Sequence, residues 1–138
     1  MHQKILVAID GGEPSQRALA HAIALASRTG GGNHLRILYV LDDALDQSEL
    51  IAEGNAALAE AARTVAAAGI DGSEVMRPSS GGTIASAILA EATESGADLI
   101  ALGTHGRKGL RRAIVGSVAE GVIRDSGVPV LLSPQPRD

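Results

Sequence analysis

From Gly103 to Ser117 the chain reads glycine, two residues, glycine, nine residues, glycine, serine. A short apolar run, Leu99 to Leu102, precedes this stretch, and a helical pattern from Val118 to Arg124 follows it. A glycine-rich loop between a strand and a helix suits one kind of chemistry above others, the cradling of a phosphate. Glycine lets the backbone come close to a ligand, and the helix start at Ser117 would aim unpaired N–H groups and the positive end of a dipole at an anion. Arg107, Lys108, Arg111 and Arg112 put four of the 12 basic residues of the chain into this one loop. In a net acidic chain that bias attracts an anionic ligand, or else it is a solvated loop. The spacing is neither common nucleotide fingerprint. There is no Gly-x-x-x-x-Gly-Lys-Ser/Thr, and no Gly-x-Gly-x-x-Gly follows the first strand.

Other residues carry two readings each. Asp10 can accept a hydrogen bond from a base or a ribose hydroxyl, or it can close its own Asp-Gly-Gly turn. Gly103, Gly106 and Gly116 serve a ligand or merely a turn in a chain with 17 glycines. Ser117 is a helix cap whose hydroxyl can also meet phosphate. His105 can touch ribose or phosphate; catalysis would need an orienting partner, and none is visible. His2, His21 and His34 lack metal-ligand spacing, so no metal site is expected, and Asp42, Asp43 and Asp46 read as a solvated acidic loop.

The composition bounds the rest. A chain of 138 residues can bury one core, so one domain over 1–138 is expected. Tyr39 is the only aromatic residue, which leaves the core to Val, Ile, Leu and Ala. With no stacking side chains and a net charge of −4, nucleic-acid binding is not expected. The absence of cysteine excludes a disulfide framework and thiol catalysis. The opening residues enter a strand pattern at once, and no apolar run approaches membrane-spanning length. A cytoplasmic protein with no membrane partner is therefore expected.

The elements that must position these residues alternate. Ile5–Ile9 is an apolar run typical of a strand buried on both faces. A helix opens at Glu13-Pro14-Ser15, with Leu19, Ala22, Ile23 and Ala26 as its stripe, and stops at Gly30-Gly31-Gly32. Leu35–Leu41 is the second strand, and a long helix runs from about Ser48 to Ala68, with Gly69 as its stop. Glu74–Arg77 reads as a short third strand. Thr83 caps a third helix, whose Ile84, Ala87, Ile88 and Glu91 line a narrow face and which Gly96 ends. Asp98–Leu102 is the fourth strand; the last helix ends near Ser126. Val128–Leu132 is a fifth strand, placed at an edge by the missing N–H of Pro129. Such alternation predicts a parallel α/β sheet with helices on both faces and ligands beyond the carboxyl ends of its strands.

Lys4 to Gly11, Ala97 to Gly106, Gly116 to Glu120 and Val128 to Leu132 together resemble the universal stress protein family, in its ATP-binding branch. The resemblance covers nearly the whole chain. It implies a five-stranded parallel sheet of order 3-2-1-4-5, an adenine nucleotide alpha hydrolase-like, Rossmann-like fold. It also implies a homodimer paired through the 128–132 strand. By the same resemblance, Asp10, Gly11 and the backbone at Val40 hold the base. Leu102, Gly103, His105, Gly106, Arg107, Gly116, Ser117 and Val118 hold ribose and phosphates. The cofactor so implied is ATP or a related adenine nucleotide, with or without magnesium, in a stress-response regulator that answers to a protein partner. Two departures stand out: Ala119 where the family often has a hydroxyl for phosphate, and Gly12 where Ser is frequent. Slow ATP hydrolysis or phosphoryl transfer by Ser117 or His105, and a ligand-free dimeric interaction module, are the alternatives. No Walker lysine and no evident base for water are present, so little turnover is expected.

Overall fold

A computed structural model describes residues 3–28, 30–43, 45–104 and 116–134. Its elements are β1 (Lys4–Ile9), α1 (Glu13–Arg28), β2 (His34–Leu41), α2 (Gln47–Ala67), β3 (Asp71–Pro78), α3 (Ile84–Ser95), β4 (Leu99–Gly103), α4 (Ser117–Asp125) and β5 (Val130–Ser133). The strands form one sheet in the order β3-β2-β1-β4-β5, and every pair is parallel. The order reverses at β1, which pairs with β2 on one side and β4 on the other. That is the sheet the resemblance implied.

The apolar run of β1 is continuous because both of its faces are covered. Ile5, Val7 and Ile9 point into a cluster with Leu19, Ala22 and Ala26 of α1 and Leu58, Ala61 and Val65 of α2. Leu6 and Ala8 point the other way, toward Ile88 and Ala92 of α3 and Ala119 and Val122 of α4. The side-chain period of a strand makes this division automatic. Among the described residues no helix is long and apolar enough to cross a membrane.

Local signals set most boundaries. The Asp46 carboxylate accepts from the Ser48 N–H at 3.0 Å and caps α2. Gly69, with φ +75, follows that helix, and its N–H donates to the Ala66 carbonyl. Thr83 Oγ1 accepts from the Ser86 N–H at 3.0 Å, and Gly96, in the left-handed conformation, closes α3. The buried face of α3 is broader than its stripe implies: Ala85 and Ala92 join Ala87, Ile88 and Glu91.

Two strands differ from the sequence reading. β3 has eight residues and pairs with β2 from His34↔Asp71 to Leu41↔Pro78. Its opening, Asp71-Gly72-Ser73, has no strand propensity; the ladder to β2 supplies the order. β5 runs from Val130 to Ser133, later than 128–132. Pro129 stays outside it and contributes only its carbonyl, which accepts from the Ile100 N–H at 3.0 Å.

Gly54 lets α2 lie close on the sheet. A Cβ there would come within 2.6 Å of Met76 Cε and 2.8 Å of the Tyr39 ring.

Candidate nucleotide site at the carboxyl ends of the strands

The carboxyl ends of β2, β1 and β4 lie side by side, which brings Val40, Asp10 and Gly103 to one end of the sheet. At the end of β1, Asp10 Oδ1 accepts from the Gly12 N–H at 2.8 Å, closing the Asp-Gly-Gly turn. Gly11 sits at φ +84, a conformation that L side chains rarely adopt. The Ser15 hydroxyl, buried at the start of α1, locks the turn. It accepts from the Asp10 N–H at 3.2 Å and donates to the Gly12 carbonyl at 3.0 Å. Both readings of Asp10 thus coexist. One oxygen builds the turn, and Oδ2 carries no hydrogen bond among the described residues.

Val40 lies one residue beyond the last β1–β2 pair, Ile9↔Tyr39, while its ladder to β3 continues through Val40↔Arg77. On the other side of β1, Leu102 is a core residue at 3% exposure. Gly103 pairs with Ser133. A Cβ on Gly103 would lie 2.5 Å from Pro14 Cβ, so this glycine is required by the packing of α1 against the end of β4. That requirement holds whether or not a ligand is bound.

After Gly103, the Thr104 N–H donates to the Ser133 carbonyl at 3.0 Å, and the Thr104 carbonyl accepts from the Gly116 N–H at 2.6 Å. The chain that leaves β4 at Thr104 therefore returns to it at Gly116, and α4 starts there. Gly116 (φ −67, ψ 160) is the N-cap of α4 and offers no side-chain oxygen. Ser117 is thus the first helical residue and not the cap, and its side chain is exposed. Among the described residues the leading N–H groups of α4 have no side-chain acceptor at the cap. Val118 is half-buried and packs on the α3 face of the sheet. His105, Gly106 and Arg107, with Lys108, Arg111 and Arg112, lie outside the described residues.

Ala119 is 1% exposed within the core. It packs in the cluster that holds Ile88, Ala92 and Val122. In the acidic loop, Asp46 caps α2 and Asp43 Oδ2 accepts from the Gly81 N–H at 2.9 Å, so both carboxylates have structural work. No group of three His, Cys, Asp or Glu side chains fit to hold a metal occurs among the described residues.

Sequence reasoning missed Ser15 and its part in the turn; a hydroxyl five residues after the Asp, at the second position past the helix start, was the available signal. It also missed His21, whose Nδ1 lies 2.7 Å from the hydroxyl of the fully buried Ser133 and so ties α1 to the end of β5.

The chain matches the model of the universal stress protein family over residues 1–134. Universal stress protein MJ0531 of Methanocaldococcus jannaschii is 32% identical, with 99% of this chain and 85% of that protein covered. Universal stress protein YxiE of Bacillus subtilis is 31% identical, with 96% and 99% covered. Among solved structures, the protein MJ0577 superimposes with a TM-score of 0.87 at 25% identity over 100% of this chain and 99% of that one. A universal stress protein in complex with cAMP gives 0.70 at 27% identity, over 94% and 95%. The Archaeoglobus fulgidus universal stress protein in complex with dAMP gives 0.75 at 25% identity, over 95% and 97%. With a family match that runs from the first strand through the last and relatives more than 30% identical over nearly the whole chain, the chain belongs to the universal stress protein family.

Proposed function

We propose that this protein binds ATP or a related adenine nucleotide at the carboxyl ends of β2, β1 and β4 and acts as a dimeric, cytoplasmic stress-response regulator. The observation that carries the reading is the start of α4, a helix whose cap residue, Gly116, has no side chain to satisfy its first N–H groups and whose entrance is held against Thr104. Asp10 Oδ2 and the backbone at Val40 would meet the base and ribose; Gly103, Gly116, Ser117 and Val118 would line the phosphate end. Leu102 would support that end from the core, with Gly11 shaping the turn below Asp10. His105, Gly106 and Arg107 belong to the same proposal through the glycine spacing. The cAMP and dAMP complexes of relatives support an adenine nucleotide in this fold. Magnesium would travel with the triphosphate.

The dimer would form through the outer edge of β5, which among the described residues pairs only with β4. Val130, Leu131 and Leu132 are each half-buried and would complete their burial against a second copy. Slow hydrolysis is a separate question, because nothing among the described residues is positioned as a base for water.

Calorimetry with ATP, AMP and cAMP, each with and without magnesium, tests the reading on the wild type and on Gly116→Val. The φ and ψ of Gly116 are ones that valine adopts, so the variant should fold. Micromolar ATP binding that is lost in the variant is the expected result. No binding by the folded, nucleotide-free wild type would leave a ligand-free dimeric module as the better reading. Sedimentation of a Leu132→Glu variant would then show whether β5 makes the dimer.

A further inference from the structure

The opposite end of the sheet carries a second cavity, built from the same strands at their amino ends. β1 spans five residue steps from Lys4 to Ile9, so roughly 17 Å separates this end from the Asp10 turn. On the α3 face the apolar stripes Leu6, Leu38 and Val75 give way to Lys4, Arg36 and Ser73, two residues earlier on each strand. Lys4, His34, Arg36, Ser73, Glu91, Glu94 and Ser95 line a cavity of about 420 Å³, within the range of small-metabolite sites.

The hydrogen-bond account of this cavity does not close on itself. Glu91, 5% exposed, has both oxygens engaged, Oε2 by Arg36 Nε at 2.6 Å and Oε1 by Arg77 Nη1 at 3.0 Å. Glu94 receives Arg77 Nη2 at 2.8 Å and is otherwise in solvent. Arg36 Nη1 donates to Ser73 Oγ at 3.0 Å. Ser73 Oγ is 2.9 Å from His34 Nε2, and His34 Nδ1 is 2.7 Å from Asp71 Oδ2, so Ser73 and His34 are satisfied by a relay that ends at the surface. What remains are donors. Arg36 Nη2 has no hydrogen bond among the described residues. Lys4 Nζ uses one of its three protons, on the Ser95 carbonyl at 2.8 Å. Ser95 Oγ is buried with no partner among the described residues.

We infer that this cavity is a second ligand site, which takes a small oxyanion, the carboxylate or phosphate group of a metabolite, between Lys4 and Arg36. Two cationic donors line this cavity, its buried acid Glu91 is paired with Arg36 and Arg77, and the exposed Glu94 on its lining is paired with Arg77. A cation finds no unengaged buried carboxylate there, and an oxyanion finds the spare protons of Lys4 and Arg36. The site is independent of the nucleotide reading, since it shares no residue with the carboxyl-end cluster.

The test is a ¹H–¹⁵N NMR titration of the whole chain with inorganic phosphate and, separately, with succinate. Saturable shifts at the Arg36 Nε–H and at the Lys4 and Ser95 amides are expected with at least one of the two. Saturation by phosphate alone assigns a phosphate ester, and saturation by succinate alone a carboxylate. Lys4→Met should weaken that binding about tenfold, the loss of one charge-assisted hydrogen bond. Ser95→Ala, which removes a hydroxyl with almost no accessible surface and should fold as well as the wild type, should change it little. ATP affinity should be the same in both variants. The inference is overturned if neither anion gives saturable shifts at these groups. It is equally overturned if shifts are confined to Gly116–Val118, or if binding is unchanged in Lys4→Met.

Discussion

Gly103 and Pro14 touch so closely that no side chain fits between them: a Cβ on Gly103 would lie 2.5 Å from Pro14 Cβ and 2.8 Å from its carbonyl carbon. The start of α1 and the end of β4 are thereby held together, and the Asp10 turn sits on the same junction. Gly103→Ala should force the two apart and destabilise the protein by about 1–3 kcal/mol, the usual cost of overpacking. Urea unfolding measures it. Because the Asp10–Ser15 turn moves with α1, nucleotide affinity should fall in the same variant. Unchanged stability would show that α1 can shift freely over β4.

Arg36 is the partner that lets Glu91 stay buried. The pair joins β2 to α3, and Arg77 from β3 completes it. Arg36→Met should cost about 3 kcal/mol, because it leaves a buried carboxylate short of a charge. The double variant Arg36→Met, Glu91→Met should recover part of that loss, since the orphaned charge is then gone and Arg77 keeps Glu94. Denaturant melts of the two singles and the double, read as a cycle, check the expected coupling.

Acid stability should depend on Glu94. Its hydrogen bond to Arg77 and the charge of that guanidinium hold its carboxyl below the usual value of 4.5. A group with a depressed folded pKa contributes stability above its unfolded pKa and loses it as pH falls through the folded one. The contribution is therefore complete at neutral pH and disappears from about pH 4.5 downward. Glu94→Gln should make the melting temperature less sensitive to pH below that point, with a small effect at pH 7 because the side chain is exposed.

At Gly54 propensity and packing oppose each other. Alanine in mid-helix is worth roughly 0.5–1 kcal/mol over glycine, yet its methyl group would meet Tyr39 at 2.8 Å. Met76 can swing its end aside; the Tyr39 ring, 5% exposed in the core, cannot. Gly54→Ala should therefore lower stability, by about 1–3 kcal/mol. A rise in the thermal midpoint would show that α2 lifts off the sheet without cost.

What the sequence made legible is what short stretches decide. The run Ile5–Ile9, the cap Thr83 and the stops Gly69 and Gly96 each carry their reason within a few residues. β3 was read short because Asp71-Gly72-Ser73 acquires its conformation from His34, Leu35 and Arg36, partners that no local pattern reveals. Glu91 could be placed on the buried line of α3, but the arginines that neutralise it come from β2 and β3. Asp10 and the glycine spacing pointed to one end of the sheet, and the topology brings Val40, Asp10 and Gly103 together there. The spacing did not show that Gly103 answers to Pro14, that Gly116 and not Ser117 caps α4, or that Ala119 belongs to the core. His105, Gly106 and Arg107 lie outside the described residues.

The central position of β1 also sets the order in which the molecule can assemble. β1 is the first strand made, and β2 can join it early, but its other neighbour is β4: Lys4 N–H bonds to Asp98, 94 positions later. While the chain grows from the ribosome, the wholly apolar run Ile5–Ile9 has one paired edge and one open edge, and half of its cover has not been synthesised. A sheet that closes so late has a high contact order and folds slowly, on the millisecond-to-second scale rather than in microseconds. Until β4 arrives, β1 is the segment most open to a wrong partner.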